Sequence, residues 1–325
     1  MDHAALLDLL LKGDRASLGR AITLIESERA IDGVDARTLI EACLPFSGKS
    51  SRIGITGIPG VGKSTLINAL GMWMIEQGHR VAVLAIDPSS ARTGGSILGD
   101  KTRMEQLAAH DDAFIRPTAA AGNLGGVARR TREAIVLCEA AGYDRILIET
   151  VGTGQNEMEV DQLCDLNVVL MIAGAGDELQ GVKRGIMESA DLIAFTKAEG
   201  EARQRAEIAS RELRNAISLL PVRPSGRSPE VLLTSATSGD GIAELGSRIE
   251  ELHDADRDTG YLTERRAAQG LHWMQQALLH GLHGALKHDP RVAAALPSLQ
   301  AEVKAGTKSP FSAAEELLAL FRKGA

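Results

Sequence analysis

Residues 53–65 read IGITGIPGVGKST, an apolar run followed by a glycine-rich loop and a helix-forming segment. The loop fits the pattern GxxxxGK[ST], in which glycines let several backbone N–H groups converge on phosphate oxygens. The start of the following helix adds partial positive charge. We expect Lys63 to reach the β and γ phosphates and the Ser64 hydroxyl to coordinate Mg²⁺. The predicted nucleotide-binding residues of this loop are Gly57, Pro59, Gly60, Val61, Gly62, Lys63, Ser64 and Thr65.

The composition is that of an ordinary globular protein. The 325 residues are 44% hydrophobic and 24% charged, and their formal net charge is -7. A negative charge argues against general nucleic-acid binding, which needs cations to neutralise phosphates. It does not argue against a small phosphate site, where backbone N–H groups and one lysine suffice.

Cysteine usage and the apolar runs indicate a soluble, cytoplasmic protein. Cys43, Cys138 and Cys164 lie far apart, without CxxC or Cys/His spacing, and read as reduced, buried thiols. The start of the chain, MDHAALLDLLLKGDR, has Asp8 inside its apolar run and predicts an amphipathic helix instead of a signal peptide. The apolar stretches are shorter than the roughly 20 residues that a membrane span needs, so we expect no membrane segment.

Periodicity divides the chain into three regions. Residues 1–50 repeat Leu and Ile at helical spacing and predict a helical N-terminal region. Residues 51–255 alternate short apolar runs with helical segments, which predicts an α/β nucleotide-binding domain with a mostly parallel sheet flanked by helices. The predicted strands are Ile53–Thr56, Val81–Ile86, Ile146–Glu149, Val168–Ile172, Leu192–Phe195 and Val231–Thr234.

Residues 256–325 return to helical patterns, one from Leu262 onward and a second around Ala313–Phe321. A two-helix tail cannot bury a core of its own, so it must pack on the domain or on another subunit. We expect a dimerisation arm.

Two acidic residues follow predicted strands. Asp87 ends VAVLAID and Glu149 ends RILIE. Carboxylates at the carboxyl edge of parallel strands, next to a phosphate loop, lie where Mg²⁺ and its waters bind, although either could be a helix cap or a surface charge. Gly152 then resembles the glycine whose N–H senses a γ-phosphate.

The stretch 89–107, SSARTGGSILGDKTRMEQL, has the composition of a switch loop. Small residues and paired glycines leave it few packing contacts, and Asp100, Lys101 and Arg103 can lie over a phosphate–metal centre. A plain surface loop is the alternative.

A base-reading segment follows another predicted strand. Thr196-Lys197-Ala198-Glu199 occupies the place of the N/TKxD motif, whose carboxylate accepts hydrogen bonds from guanine N1–H and the exocyclic amine. Glutamate is one methylene longer than the usual aspartate, which leaves adenine, or no preference, as alternatives to guanine. Ser235 and Ala236 are predicted to form the second base-recognition loop.

Together these motifs resemble the methylmalonyl-CoA mutase-associated GTPases of the MeaB/ArgK type, to which the human methylmalonic aciduria type A protein is related. The matching segments are GIPGVGKSTLINALG, VAVLAIDPSSARTGGSILGDKTRM, IRPTAAAGNLGGVARRTREAI, AGYDRILIETVGTGQNEMEV and GAGDELQGVKRGIMESADLIAFTKAEG.

The resemblance implies a P-loop GTPase fold and specific roles for individual residues. It implies that Ser64, Asp87, Asp100 and Glu149 ligate Mg²⁺ and that Lys63, Asp87, Glu149 and Gly152 serve catalysis. It marks Val151–Glu157 as switch II, with Gln155 the glutamine nearest the switch glycine, and Asp177–Gly185 as a further responsive loop. Switch or partner residues would be Lys101, Arg103, Gln155, Asp177, Glu178, Gln180, Lys183 and Arg184.

The resemblance also implies an activity and a partner. The family is expected to bind GTP and GDP, to hydrolyse GTP slowly and to form homodimers. It couples hydrolysis to cofactor loading, protection or reactivation of an adenosylcobalamin-dependent acyl-CoA mutase such as methylmalonyl-CoA mutase. A nickel-type metallochaperone GTPase, or a P-loop ATPase or kinase, is the alternative. Glu199, Thr153 and Asn156 depart from the family's usual Asp, Val and Ser.

Overall fold

The computed structural model describes residues 3–27, 29–87, 104–119, 124–150, 160–174, 184–218 and 222–322. The chain forms two compact units, Met1–Gln269 and Gly270–Ala325. The first unit contains the sheet and the predicted phosphate loop. The predicted boundaries at residues 50/51 and 255/256 remain predictions.

The first unit begins with helices α1 (His3–Leu11), α2 (Arg15–Glu26) and α3 (Ala30–Cys43), followed by a 3-10 turn at Leu44–Phe46. Helix α2 starts where the Asp14 side chain accepts a hydrogen bond from the backbone N–H of Ser17 at 2.7 Å. Leu18, Ile22 and Ile25 are buried along one face of α2 at helical spacing. The helical pattern of this region is therefore present as predicted.

A seven-stranded sheet follows, in the order β3-β2-β4-β1-β5-β6-β7, and every neighbouring pair is parallel. Its strands are β1 (Ser51–Gly57), β2 (Val81–Asp87), β3 (Ala113–Ala119), β4 (Arg145–Thr150), β5 (Leu166–Ile172), β6 (Leu192–Thr196) and β7 (Glu230–Leu233). The six predicted strands and their parallel pairing are confirmed. Because all strands run the same way, the loops after β1, β2, β4 and β6 leave from one edge of the sheet.

Strand β3 is the one that the sequence analysis missed. Its sequence, AFIRPTA, contains Arg116 and Pro117, which interrupt the apolar pattern typical of a buried strand. Proline lacks an N–H for the ladder and is tolerated at a sheet edge. Among the strands that the structure describes, β3 pairs with β2 alone and forms that edge.

Helices cover the sheet and connect its strands. They are α4 (Lys63–Glu76), α5 (Glu105–Ala109), α6 (Leu124–Ala140), α7 (Arg184–Ser189), α8 (Ala202–Ile217) and α9 (Ile242–Asp258). Among the described residues, one apolar core cluster contains side chains of α4 and α9, and another contains side chains of α8. In β5, Val168 and Leu170 belong to the first cluster and Val169 and Met171 to the second, as alternation along a strand requires.

The three cysteines are buried and unpaired. Burial raises the pKa of the Cys43 thiol to about 11 and raises the pKa of Cys138 and Cys164 further. These thiols are therefore protonated and unreactive near neutral pH. In the part of the chain that the structure describes, no helix combines the length and apolarity needed to cross a membrane.

Helix α10 (Tyr261–His288) begins in the first unit, and the second unit adds α11 (Pro290–Lys304) and α12 (Pro310–Arg322). The expected two-helix tail is wrong, because α11 lies between the two predicted helices. Pro297 inside α11 obscures its helical pattern, whereas Asp289 caps its start by accepting hydrogen bonds from the N–H groups of Arg291 and Val292.

Two helical glycines provide a matched test of the packing of α9 against α4. A Cβ at Gly246 of α9 would lie 2.3 Å from the Trp73 ring, whereas a Cβ at Gly19 of α2 would meet no atom within 4 Å. We expect Gly246→Ala to lower the free energy of unfolding by about 1–3 kcal/mol through overpacking. Gly19→Ala should raise it by about 0.5–1 kcal/mol through helix propensity. Urea denaturation measures both, and a stabilised Gly246→Ala variant would contradict the α4–α9 packing.

Candidate nucleotide-binding site

The phosphate loop connects β1 to α4 and depends on glycine at its two ends. Gly57 has φ +150°, and a Cβ there would lie 2.7 Å from the carbonyl oxygen of Leu170 in β5. Gly62 has φ +102° and directly precedes α4. Residues that carry a side chain rarely adopt these backbone conformations, so the loop requires glycine at both positions.

Lys63 is the first residue of α4 and is buried. Its Nζ donates hydrogen bonds to the carbonyl oxygens of Gly57 at 2.7 Å and Ile58 at 3.2 Å. The ammonium group therefore lies inside the curve of the loop, where it can neutralise a bound phosphate. The helix start beside it supplies further positive potential.

Two of the predicted metal ligands lie together. The Ser64 hydroxyl donates a hydrogen bond to Glu149 Oε1 at 3.0 Å, and both side chains are buried. A hydroxyl and a carboxylate are hard oxygen donors, which is the ligand chemistry that Mg²⁺ prefers. The residues present therefore fit a magnesium ion at this edge of the sheet.

Asp87 ends the neighbouring strand. Strand β2 pairs with β4, and its Ala85 lies opposite Glu149, so the backbone of Asp87 extends beyond Glu149 at the same edge. Its side chain lies outside the described residues.

The base-reading segment contacts the phosphate loop through two side chains. The Thr196 hydroxyl donates to the carbonyl oxygen of Val61 at 2.5 Å and lies 3.2 Å from that of Met171. Lys197 Nζ donates to the carbonyl oxygen of Gly60 at 2.9 Å. Among the residues that the structure describes, Lys197 is the one non-glycine residue with positive φ, at +56°. This uncommon backbone conformation fixes the direction of the lysine stem along one side of the site.

A cavity of about 220 Å³ opens between these segments. Glu199 is half-buried at its wall, and Glu199 Oε2 has no hydrogen-bond partner among the described residues. An unpaired carboxylate oxygen in such a place favours a ligand that carries N–H donors. The lining residues are Val61, Gly62, Thr65, Leu66, Thr196, Lys197, Glu199, Ala236 and Thr237.

Leu66 and Thr237 are lining residues that the sequence analysis missed. Each follows a predicted position directly, after Thr65 and Ala236, so extending both motifs by one residue would have found them. Ser235 is fully buried and shapes its loop: its N–H donates to the Asp240 carbonyl at 2.8 Å, and its hydroxyl accepts from the Ser238 N–H at 3.1 Å.

Several predicted site residues lie outside the described residues. The backbone of Arg184 begins α7, but its side chain belongs to this group. The others are Asp100, Lys101, Arg103, Gly152, Gln155, Asp177, Glu178, Gln180 and Lys183.

Known proteins resemble the chain over nearly its whole length. Residues 18–290 match the family model "Methylmalonyl Co-A mutase-associated GTPase MeaB". A putative GTPase of Caulobacter vibrioides is 48% identical over 321 residues, covering 99% of this chain and 98% of that protein. The mouse mitochondrial methylmalonic aciduria type A homolog is 42% identical over 323 residues, covering 96% of this chain and 78% of that protein.

A solved structure described as a LAO/AO transport system kinase has a TM-score of 0.78 and 33% sequence identity, covering 98% of this chain and 97% of its own. The parallel sheet and the phosphate loop agree with these matches. The chain therefore belongs to the methylmalonyl-CoA mutase-associated GTPase family, MeaB.

Proposed function

We propose that this chain hydrolyses GTP in a Mg²⁺-dependent reaction and uses the GTP cycle to assist an adenosylcobalamin-dependent acyl-CoA mutase. Methylmalonyl-CoA mutase is the partner that the family's name indicates. The observation that carries the hydrolytic part is the buried hydrogen bond between Ser64 and Glu149. Ser64 directly follows Lys63, whose ammonium donates to the carbonyl oxygens of Gly57 and Ile58 in the phosphate loop. This supports phosphate-binding and metal-binding groups at the same end of α4.

Ser64 and Glu149 would hold the magnesium ion, with Asp87 and Asp100 as further predicted ligands. When bound, Mg²⁺ neutralises charge on the β and γ phosphate oxygens. Lys63 and the loop N–H groups would stabilise charge on the same phosphates. Gly152 is our candidate sensor of the γ-phosphate, and Gln155 our candidate for orienting the attacking water.

Glu199 would read the guanine base. Its unpaired Oε2 and its position on the wall of the 220 Å³ cavity support a carboxylate that accepts hydrogen bonds from N1–H and the exocyclic amine. Adenine does not present that pair of donors, so it would leave Glu199 Oε2 unpaired.

The partner would recognise the nucleotide state through the predicted switch segments, Val151–Glu157, Asp177–Gly185 and the loop that contains Lys101 and Arg103. Loops held by a γ-phosphate and its metal ion relax after hydrolysis, which changes partner affinity.

The buried free thiols support a reducing compartment such as the cytoplasm. Activity confined to an oxidising compartment after cell fractionation would contradict that location.

Self-association would use α10. Leu271, Met274, Leu278 and Leu282 recur at helical spacing and are between 51% and 63% exposed. Such a row of large apolar side chains is typical of an interface, and we propose that it pairs with a second copy of the chain.

Analytical ultracentrifugation should detect a dimer at micromolar concentration, and a monomer at all concentrations tested would contradict this self-association.

The base site is tested by Glu199→Gln. The amide replaces one acceptor oxygen with a donor, so GDP affinity should fall about tenfold or more, because hydrogen bonds to a charged group are lost. Xanthosine diphosphate, which carries an acceptor in place of the exocyclic amine, should bind the variant better than it binds the wild type. Isothermal titration calorimetry measures both affinities, with the exposed neighbour Glu201→Gln as the control. Equal GDP affinity in wild type and Glu199→Gln would refute the base assignment.

The partner is tested by retention of candidate cobalamin-dependent mutases on the immobilised chain. We expect one mutase to be retained several-fold differently in GDP and in a non-hydrolysable GTP analogue. The Lys63→Ala variant, which lacks the phosphate-binding ammonium, should retain that mutase equally in both nucleotides. Equal retention of every mutase by the wild type in both states, or retention of none, would contradict the proposed assistance.

A further inference from the structure

The first two turns of α10 are anchored to the turn that precedes β5, residues 160–165, which we call the pre-β5 turn. Arg265 donates to the Asp161 carboxylate at 2.8 Å and to the Cys164 carbonyl at 3.2 Å. Gln269, one turn further along α10, donates to the carbonyl oxygens of Asp161 at 3.1 Å and Cys164 at 2.8 Å. Arg266 contacts Asp165 through two hydrogen bonds of 2.8 and 2.6 Å.

The other side of the pre-β5 turn packs on β1, the strand that leads into the phosphate loop. A Cβ at Gly54 would lie 2.7 Å from Val160 Cγ1 and 3.0 Å from Cys164 Sγ, so the turn approaches this strand as closely as glycine permits. The Arg52 backbone N–H donates to Asp165 Oδ2 at 2.8 Å. The pre-β5 turn therefore lies in direct contact with both α10 and the strand that carries the nucleotide loop.

The contacts are largely withdrawn from water. The side chains of Arg265 and Asp161 are 11% and 23% exposed, and those of Arg266 and Asp165 are 16% and 1% exposed. Removing one partner of such a pair leaves a poorly solvated charge, which makes buried pairs far more sensitive to displacement than exposed ones. A shift of the pre-β5 turn must therefore either move the start of α10 with it or break these bonds.

Room for such a rearrangement lies beside the pair. A pocket of about 290 Å³ is lined by Asp161, Tyr261, Arg265 and Gln269, among others. Arg223 lies 3.6 Å from Asp161 and 2.7 Å from Asp191, so it offers a second cation to Asp161. Asp161 can thus exchange partners without becoming an isolated buried charge.

In sequence, the pre-β5 turn begins soon after the predicted switch II, Val151–Glu157. We propose that the Asp161–Arg265 pair couples the nucleotide state to the anchoring of α10, so that the first two turns of this helix are held more tightly in one nucleotide state than in the other. This coupling rests on the proposed function. The coupling is reciprocal: if the nucleotide state changes how tightly α10 is anchored, then weakening the anchor must change the ratio of the affinities for the two nucleotides.

The test compares affinities for GDP and for a non-hydrolysable GTP analogue, measured by calorimetry with Mg²⁺. Arg265→Met and Asp161→Asn should each change the ratio of the two affinities about fivefold or more relative to wild type. The double variant should change it no further than the single ones, because both remove the same interaction. Arg257→Met is the matched control, since Arg257 forms an exposed pair with Asp254 on α9 and should leave the ratio unchanged.

An unchanged ratio in a folded Arg265→Met variant would overturn the coupling. If that variant fails to fold, Asp161→Asn decides the question, and a wild-type ratio in that variant would overturn the coupling as well. A wild-type chain that binds no guanine nucleotide would refute the proposed function and the coupling together. Normal binding with an unaffected ratio refutes the coupling alone.

Discussion

The hydrogen bond between Ser64 and Glu149 requires β1 and β4 to be adjacent parallel strands. Their pairing, with Ile55 opposite Glu149, brings the end of β4 beside the first turn of α4. A sheet in which another strand separated β1 from β4 would leave the carboxylate too far from the phosphate loop. The order of the strands in the sheet determines which polar groups meet at the carboxyl edge.

The amino edge of the sheet, opposite the candidate nucleotide-binding site, is held by ion pairs. Buried ion pairs at the start of several strands connect Arg52 with Glu139, Arg266 with Asp165 and Arg223 with Asp191. Well-packed apolar groups could stabilise the fold as well as such pairs do, whereas removing one partner of a pair would leave a buried charge uncompensated. The candidate nucleotide-binding site thus lies at the carboxyl edge, and these buried ion pairs lie at the amino edge.

The sequence predicted those parts of the fold whose structure is indicated by residue spacing within a single segment. The glycine spacing at Gly57 and Gly62 and the apolar run before Glu149 each indicated their structures without knowledge of the rest of the chain. Strand β3 and helix α11 were missed because Pro117 and Pro297 interrupt patterns that tertiary packing tolerates. The Arg265–Asp161 pair could not be predicted, because its partners are separated by 104 residues and either one alone reads as a surface charge.

If the phosphate loop and the end of β4 form one Mg²⁺-dependent GTP hydrolysis site, as we propose, Glu149 helps to hold the metal ion. The Mg²⁺ dependence of GTP hydrolysis, measured for wild type and for Glu149→Gln, shows whether it does. The amide keeps the size of the side chain and can still accept the Ser64 hydrogen bond, but it lacks the charge that attracts the metal. We predict that half-maximal hydrolysis by Glu149→Gln will need at least about tenfold more Mg²⁺ than hydrolysis by wild type. The same Mg²⁺ requirement in both proteins would contradict a role of Glu149 in holding the metal ion.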